Sequence, residues 1–318
     1  GSDLRVNLGR LFGEHAVLVS MAMQKRASGA RDADTVIKLL GVNATALGGA
    51  VRSVAKEEVR LAFVDQWQSH NRILLALAAA SSPKGDPATR QSALAELAQY
   101  QSTFSRFLAE SFRLDRTQLE SLITDHVSQV LGAFDASVRG DHAAASRQAR
   151  VAYTHMFVVA DALAEPIARE SGNGRALTPA SDLRADVGRL LAEHAVLVAQ
   201  AMQRAHDRAP DLAATSETVA INAAELTAVV ASGFGEEAGA AFAEQWQTHI
   251  RLLSDLGGAT GAKDTSAREL ALSELQAYAS SFPKFLAEAT GIPGQSLAQL
   301  FGRHLDQLTG FLDAYSGV

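Results

Sequence analysis

The 318-residue sequence contains no cysteine and only four methionines. Disulfides, thiolate metal ligands and cysteine nucleophiles are therefore excluded, and any metal would have to be bound by histidine, carboxylate, tyrosine or methionine. Basic residues are also few, since 29 Lys and Arg against 35 Asp and Glu give a net charge of −6. This balance argues against nucleic-acid binding, which needs clustered Lys and Arg. No apolar run approaches the roughly 18 residues that would span a membrane.

Recognisable catalytic motifs are missing as well. The sequence has no G-x-S-x-G nucleophile elbow, no H-E-x-x-H zinc motif and no phosphate-binding loop. It also lacks the Glu-x-x-His pairs that hold two iron ions in ferritin-like bundles. Enzymatic activity is therefore not indicated. With 47% hydrophobic residues, the chain nevertheless has enough apolar side chains to bury a sizeable core.

An internal duplication is the most informative feature that is present. The run Glu14-His15-Ala16-Val17-Leu18-Val19 recurs as Glu193-His194-Ala195-Val196-Leu197-Val198, an offset of 179 (194 − 15). The offset becomes 178 (278 − 100) at Tyr100 and Tyr278, so one residue has been lost in a loop. We predict two tandem modules, 1–174 and 175–318, that are joined by the Gly-, Asn- and Pro-rich linker 171–179.

Both modules are predicted to be helical throughout. Apolar residues recur at steps of three and four, with short Gly, Pro, Asp and Ser breaks between the periodic segments. The expected fold class is all-α, with two antiparallel helical bundles of about six and five helices, because the second module lacks the sixth helix. The predicted helices are at about 3–26, 32–55, 57–81, 87–112, 116–138, 141–170, 182–207, 212–232, 236–257, 265–289 and 295–315.

Histidines occupy core positions of these helices. On the first helix, His15 continues the stripe of Leu11 and Leu18, and His194 does the same in the second module. Seven of the nine histidines lie on such stripes, and in the first module they lie near helix midpoints, so we expect them to share one level of the bundle. The predicted metal ligands are His15, His70, His126 and His155 in the first module and His194, His249 and His304 in the second.

Two interpretations of these histidines stay open. Neutral imidazoles on facing helices are a usual way to bind a metal in a bundle, and Zn²⁺, copper and iron all accept them. Haem held by two histidines is a further metal interpretation. Alternatively, the histidines form a buried polar network in a structural or interaction module. The residues expected to support the ligands are Glu14, Asn43, Tyr100, Glu193, Asn222 and Tyr278. Sequestration, storage or sensing fits better than catalysis.

A resemblance to a known family rests on three motifs: Glu14-His15-Ala16, Trp67-x-x-His70, and Tyr153-x-His155-Met156 followed by Ala160-Asp161-x-Leu163-Ala164. The sequence resembles a family of secreted bacterial tandem helical repeats, which are sometimes joined to a copper-amine-oxidase-like N-terminal domain. The resemblance implies export and a helical fold, but no particular activity. The opening Gly1-Ser2 is typical of a cloning remnant, so we expect an exported protein whose signal segment was removed.

Overall fold

A computed structural model describes residues 1–172 and 174–317. Asn173, in the predicted linker, and Val318, the predicted end of the second module, lie outside the described residues. Within them the chain forms eleven helices and no strand, which confirms the all-α prediction. The helices are α1 (Ser2–Ser28), α2 (Ala33–Arg52), α3 (Glu57–Ala80), α4 (Pro87–Phe112), α5 (Arg116–Val138), α6 (His142–Glu170), α7 (Pro179–Asp207), α8 (Leu212–Phe234), α9 (Glu236–Ala262), α10 (Thr265–Thr290) and α11 (Gly294–Ser316).

The helix ends follow local sequence signals. The side chains of Asp86, Asp115, Asp141 and Asp264 accept hydrogen bonds from the free amides at the starts of α4, α5, α6 and α10. Gly29 ends α1 in the left-handed conformation, which glycine adopts without strain. The largest departure from prediction is α9, which continues five residues beyond 257.

The chain's contacts divide it into two compact units, Gly1–Arg189 and Leu190–Val318. In the first unit, α1 packs against α2, α3, α5 and α6, so it lies at the centre of the bundle. Glycine permits the close approach of α1 to α6, because a methyl group at Gly9 or Gly13 would lie 2.8 Å from the ring of Phe157. This central position places the buried face of α1 against α3 and α5.

In the second unit, α9 packs against α8, α10 and α11. Glycine allows α9 to approach α7 closely, since a methyl group at Gly257 would lie 2.5 Å from the carbonyl oxygen of Met202 on α7. Glycine at this position is therefore required by the close approach of two helix backbones. None of the helices within 1–172 and 174–317 is long and apolar enough to cross a membrane.

Candidate metal centre

Three histidines of the first unit meet in its core. His15 on α1, His70 on α3 and His126 on α5 are all buried, and each offers a ring nitrogen within 4.8 Å of the nitrogens of the other two. The Nε2 atoms of His15 and His70 are 3.2 Å apart. Two nitrogens bound to one tetrahedral ion at about 2.0 Å would be separated by roughly 3.3 Å. His15 and His70 therefore already have the spacing of two ligands, and His126 needs a modest side-chain movement to become the third.

Helix α3 itself selects which nitrogen of His70 faces the cluster. Nδ1 of His70 lies 2.7 Å from the carbonyl oxygen of Trp67, one turn earlier in the helix. A carbonyl oxygen only accepts, so Nδ1 carries the proton and Nε2 presents a lone pair to His15 and His126. A protonated second nitrogen bound to a backbone carbonyl is the usual arrangement of a histidine that ligates a metal.

Several ring nitrogens of this cluster have no hydrogen-bond partner within the described residues. They are Nδ1 of His15 and both nitrogens of His126, and all are shielded from solvent. Leaving a buried polar atom unpaired costs about 1–3 kcal/mol. A ligand in the middle of the three rings would give His126 a partner for one nitrogen and would reduce that cost.

Burial also sets the protonation state of the three rings. Removal from water lowers the pKa of His70 to about 4, and removal from water together with the neighbouring His70 and His155 lowers that of His126 to about 3. The pKa of His15 also falls well below its usual value, because of burial and then the neighbouring His70 and His126. All three imidazoles are therefore neutral near pH 7, as metal ligands must be.

Aromatic side chains enclose the cluster. The Trp67 ring lies 4.7 Å from His15 and 4.9 Å from His70, and Tyr100 stacks on His70 at 5.2 Å. Burial raises the pKa of Tyr100 well above its usual value, so this residue stays a neutral phenol. Tyr100 therefore orients the His70 ring by stacking and does not supply an anionic ligand.

The second unit contains the same arrangement. His194 on α7, His249 on α9 and His304 on α11 offer ring nitrogens that all lie within 4.8 Å of one another. Trp246 lies 4.5 Å from His194, and Tyr278 stacks on His249 at 5.4 Å. Each side chain thus matches its counterpart in the first unit by repeat position, so both copies bring three histidines, a tryptophan and a tyrosine together.

The second cluster also has unpaired nitrogens and lowered pKa values. Both ring nitrogens of His194 and His249, and Nε2 of His304, lack a partner among the described residues. Burial lowers the pKa of His194 to about 3, that of His249 well below its usual value, and that of His304 to a smaller extent. His304 is the one ligand candidate of the two clusters that is only half-buried.

Two asparagines form hydrogen bonds to the helices that carry His15 and His194. Nδ2 of Asn43 donates to the carbonyl oxygen of Leu11 and to Oε2 of Glu14, both at 2.9 Å. Leu11 lies one turn before His15, so Asn43 anchors that turn of α1 to α2. The second unit repeats the contact, because Asn222 donates to Leu190 at 3.0 Å and to Glu193 at 2.8 Å. The glutamates and asparagines predicted as supporting residues therefore pair with each other beside the cluster.

His155, the predicted fourth ligand of the first module, is not part of the group of three. Its Nε2 lies 2.8 Å from the carbonyl oxygen of Leu122. That nitrogen donates to the backbone of α5, and His155 is not among the histidines whose ring nitrogens all lie within 4.8 Å of one another. Both units consequently offer three histidines, and the predicted contrast between four and three ligands is absent from the geometry.

A cavity beside the first cluster was not indicated by the sequence. It has a volume of about 40 Å³, and both His70 and His126 line it. Such a space arises where side chains from several helices fail to fill the volume between them, so no sequence motif marks it. The cavity lies on the side of the cluster that faces α4 and α5, which supply Tyr100, Phe104 and Ile123 to its wall.

Comparison of the chain with protein-family models, curated proteins and solved structures finds no match. The functional argument therefore depends on the residues and geometry described above. The resemblance to secreted helical repeats and the expected export stay predictions.

Proposed function

We propose that each unit binds one transition-metal ion through its three buried histidines, for sequestration, storage or sensing. The observation that carries this proposal is the repeated cluster itself: two separate sets of three buried or half-buried imidazoles, each with ligand nitrogens within 4.8 Å of one another. An isolated buried histidine is common in protein cores. Three that converge, and that do so twice, place neutral nitrogen donors where one ion can bind all of them.

The unpaired nitrogens favour a metal over a polar network. In a stable buried network each donor and acceptor is satisfied, because a partly satisfied network is costly. His126, His194 and His249 pair with nothing within the described residues. A structural role would require buried water at both clusters, with the imidazoles as its partners. Metal analysis distinguishes these two possibilities directly.

The donor set narrows the class of metal. Three imidazoles without a carboxylate suit Zn²⁺, copper or iron, whereas Ca²⁺ and Mg²⁺ require oxygen ligands. Haem is less well supported, because the rings of His15 and His70 are only 5.0 Å apart and Trp67 contacts both. A porphyrin between them would have to separate α1 from α3. A simple ion needs no such separation.

Sequestration, storage or sensing fits the surroundings of the clusters. The cavity beside the first cluster is lined mainly by aromatic and aliphatic groups, and among the described residues no carboxylate joins the group of three histidines. General acid–base catalysis requires a titratable group with a pKa near the working pH. The histidines themselves are held neutral by burial. Binding a metal tightly is the chemistry that this arrangement supports best.

The experiment measures metal content and metal-dependent stability of the full chain. Purified protein is stripped with a chelator, reloaded with Zn²⁺, Cu²⁺ or Fe²⁺, and assayed by elemental analysis and thermal unfolding. We expect two ions per chain, and stabilisation of about 2.7 kcal/mol when the free metal is at a hundred times its dissociation constant. Cobalt(II) serves as a spectroscopic substitute for zinc that reports the ligand geometry.

Variants assign the sites. His70→Ala and His249→Ala should each remove one ion, and the double variant should bind none. His155→Ala is the matched control, because its ring bonds to Leu122 outside the cluster, and it should retain both ions. Protein that contains no metal and gains no thermal stability from any of the three ions would refute the proposal in favour of a structural role.

A further inference from the structure

The cavity of the first unit lies against its candidate metal centre. Its volume of about 40 Å³ exceeds the roughly 10–15 Å³ that one water molecule requires, so a small molecule fits. Among its lining residues, only His70, His126, Tyr100 and Trp67 carry polar side-chain atoms. The remaining wall consists of aliphatic, phenylalanine and methionine side chains. The cavity wall is thus almost entirely apolar, and it borders the candidate site along the rings of His70 and His126.

A metal held by three histidines has room for a further ligand. Zinc sites with three protein ligands, for example, keep their fourth position for water or substrate. Here the space next to His70 and His126 is apolar, and an apolar cavity of this size tends to stay dry. Anions are disfavoured there, because transfer of a charge into apolar surroundings is costly. A neutral molecule of few atoms suits both the size and the polarity of the space.

The two units differ at several positions of this wall, and within the described residues the second unit has no counterpart of α6, which supplies Met156, Val159 and Leu163 to the cavity of the first unit. Ile123 on α5 lines the cavity of the first unit, and its repeat counterpart at the offset of 178 is Phe301 on α11. The Phe301 ring lies 5.5 Å from the ring of His249 and 5.9 Å from that of His304. The Phe301 ring also packs at 4.9 Å against the ring of Phe282. At this repeat position the second unit therefore has a phenyl ring against its cluster, and the first unit has the smaller isoleucine side chain.

We propose that the metal of the first unit, and not that of the second, binds a small neutral diatomic molecule such as nitric oxide or dioxygen in the cavity beside His70 and His126. This inference depends on the proposed metal binding. It gives the two sites different roles, because the first metal has a cavity for an exogenous ligand, whereas the Phe301 ring lies against His249 and His304 in the second. The duplication would then have produced one site with space for a small ligand and one in which a phenyl ring takes that place.

Reciprocal exchange of the two residues provides the test. Ile123→Phe should fill the cavity of the first unit, and Phe301→Ile should open the corresponding space in the second. Val127→Leu is a milder filling variant, because Val127 also lines the cavity and its repeat counterpart is Leu305. It keeps the test available if Ile123→Phe does not fold.

The probe is nitric oxide added anaerobically to full-length protein loaded with Fe²⁺, and the readout is the electron paramagnetic resonance signal of an iron–nitrosyl complex. Each site is measured alone by placing His249→Ala or His70→Ala in the background. We expect the signal from the first site only, its loss in Ile123→Phe, its weakening in Val127→Leu, and a new signal from the second site in Phe301→Ile. Azide should give no spectral change at the first site.

The outcomes separate this inference from the metal proposal. If iron is bound by both sites but both or neither form the nitrosyl, or if azide binds the first site, the inference is overturned while metal binding stands. If no iron is retained, both fail. Xenon binding to the metal-free chain, measured by nuclear magnetic resonance, tests the cavity independently. Xenon binding that Ile123→Phe does not reduce would also overturn the inference.

Discussion

Acidification of the metal-free protein should destabilise both units through their buried histidines. Each of these imidazoles is neutral in the folded chain because burial lowers its pKa, whereas in the unfolded chain its pKa is near 6.5. Above pH 6.5 both states are neutral and stability is complete. As the pH falls below 6.5, the unfolded chain takes up protons first, so the free energy of unfolding decreases. For His70 the loss continues until about pH 4, where the folded state is also protonated.

The size of the effect follows from the number of histidines in each cluster. One such histidine changes the free energy of unfolding by about 1.4 kcal/mol per pH unit within this window, so the three buried histidines of the first unit change it by about 4 kcal/mol per pH unit. At pH 5 the first unit should therefore have lost about 6 kcal/mol of stability, and the second unit should lose less because His304 is half-buried. A domain is typically stable by about 5–15 kcal/mol, so the first unit should approach unfolding near pH 5.

Urea unfolding monitored by tryptophan fluorescence can follow the units separately. Trp67 reports on the first cluster and Trp246 on the second, so Trp246→Phe and Trp67→Phe each isolate one signal. The measurement is made in chelator between pH 7.5 and 5. His70→Gln should reduce the slope of the first unit by about 1.4 kcal/mol per pH unit, with no change in the second. A free energy of unfolding that stays constant between pH 7 and 5.5 would refute the claim that the clusters are buried in neutral form.

Two further predictions concern packing and positioning. Gly257→Ala should destabilise the second unit by several kcal/mol in urea unfolding, because the new methyl group would lie 2.5 Å from the Met202 carbonyl oxygen. The control is Gly258→Ala, whose methyl group would enter open space, so this variant should be neutral or stabilising by about 1 kcal/mol. Asn43→Ala should cost about 1–2 kcal/mol and weaken metal binding at the first site only. Its control is the exposed Thr45→Ala, and unchanged metal affinity in Asn43→Ala would show that this amide does not position the cluster.

The histidines show which features of a buried site sequence periodicity can predict and which it cannot. A stripe at steps of three and four establishes that a residue faces the core, and the position along the helix establishes its height. The facing direction and the height were sufficient to predict that His15, His70 and His126 meet, as they do. They were not sufficient for His155, because they do not specify the direction of the ring or the carbonyl oxygen that it meets. Only the packed neighbour, Leu122, determines that.

The sequence by itself determined the helices, the duplication and the identity of the buried histidines, because these depend on local periodicity and on the repeat offset. The tertiary structure alone decided which histidines share one site, that Gly257 allows α9 to pack closely on α7, and where space is left beside a cluster. These features depend on side chains from helices that are distant in the chain. The difference between Ile123 and Phe301 is visible in the sequence, but its consequence depends on the volume that five packed helices leave beside the first cluster.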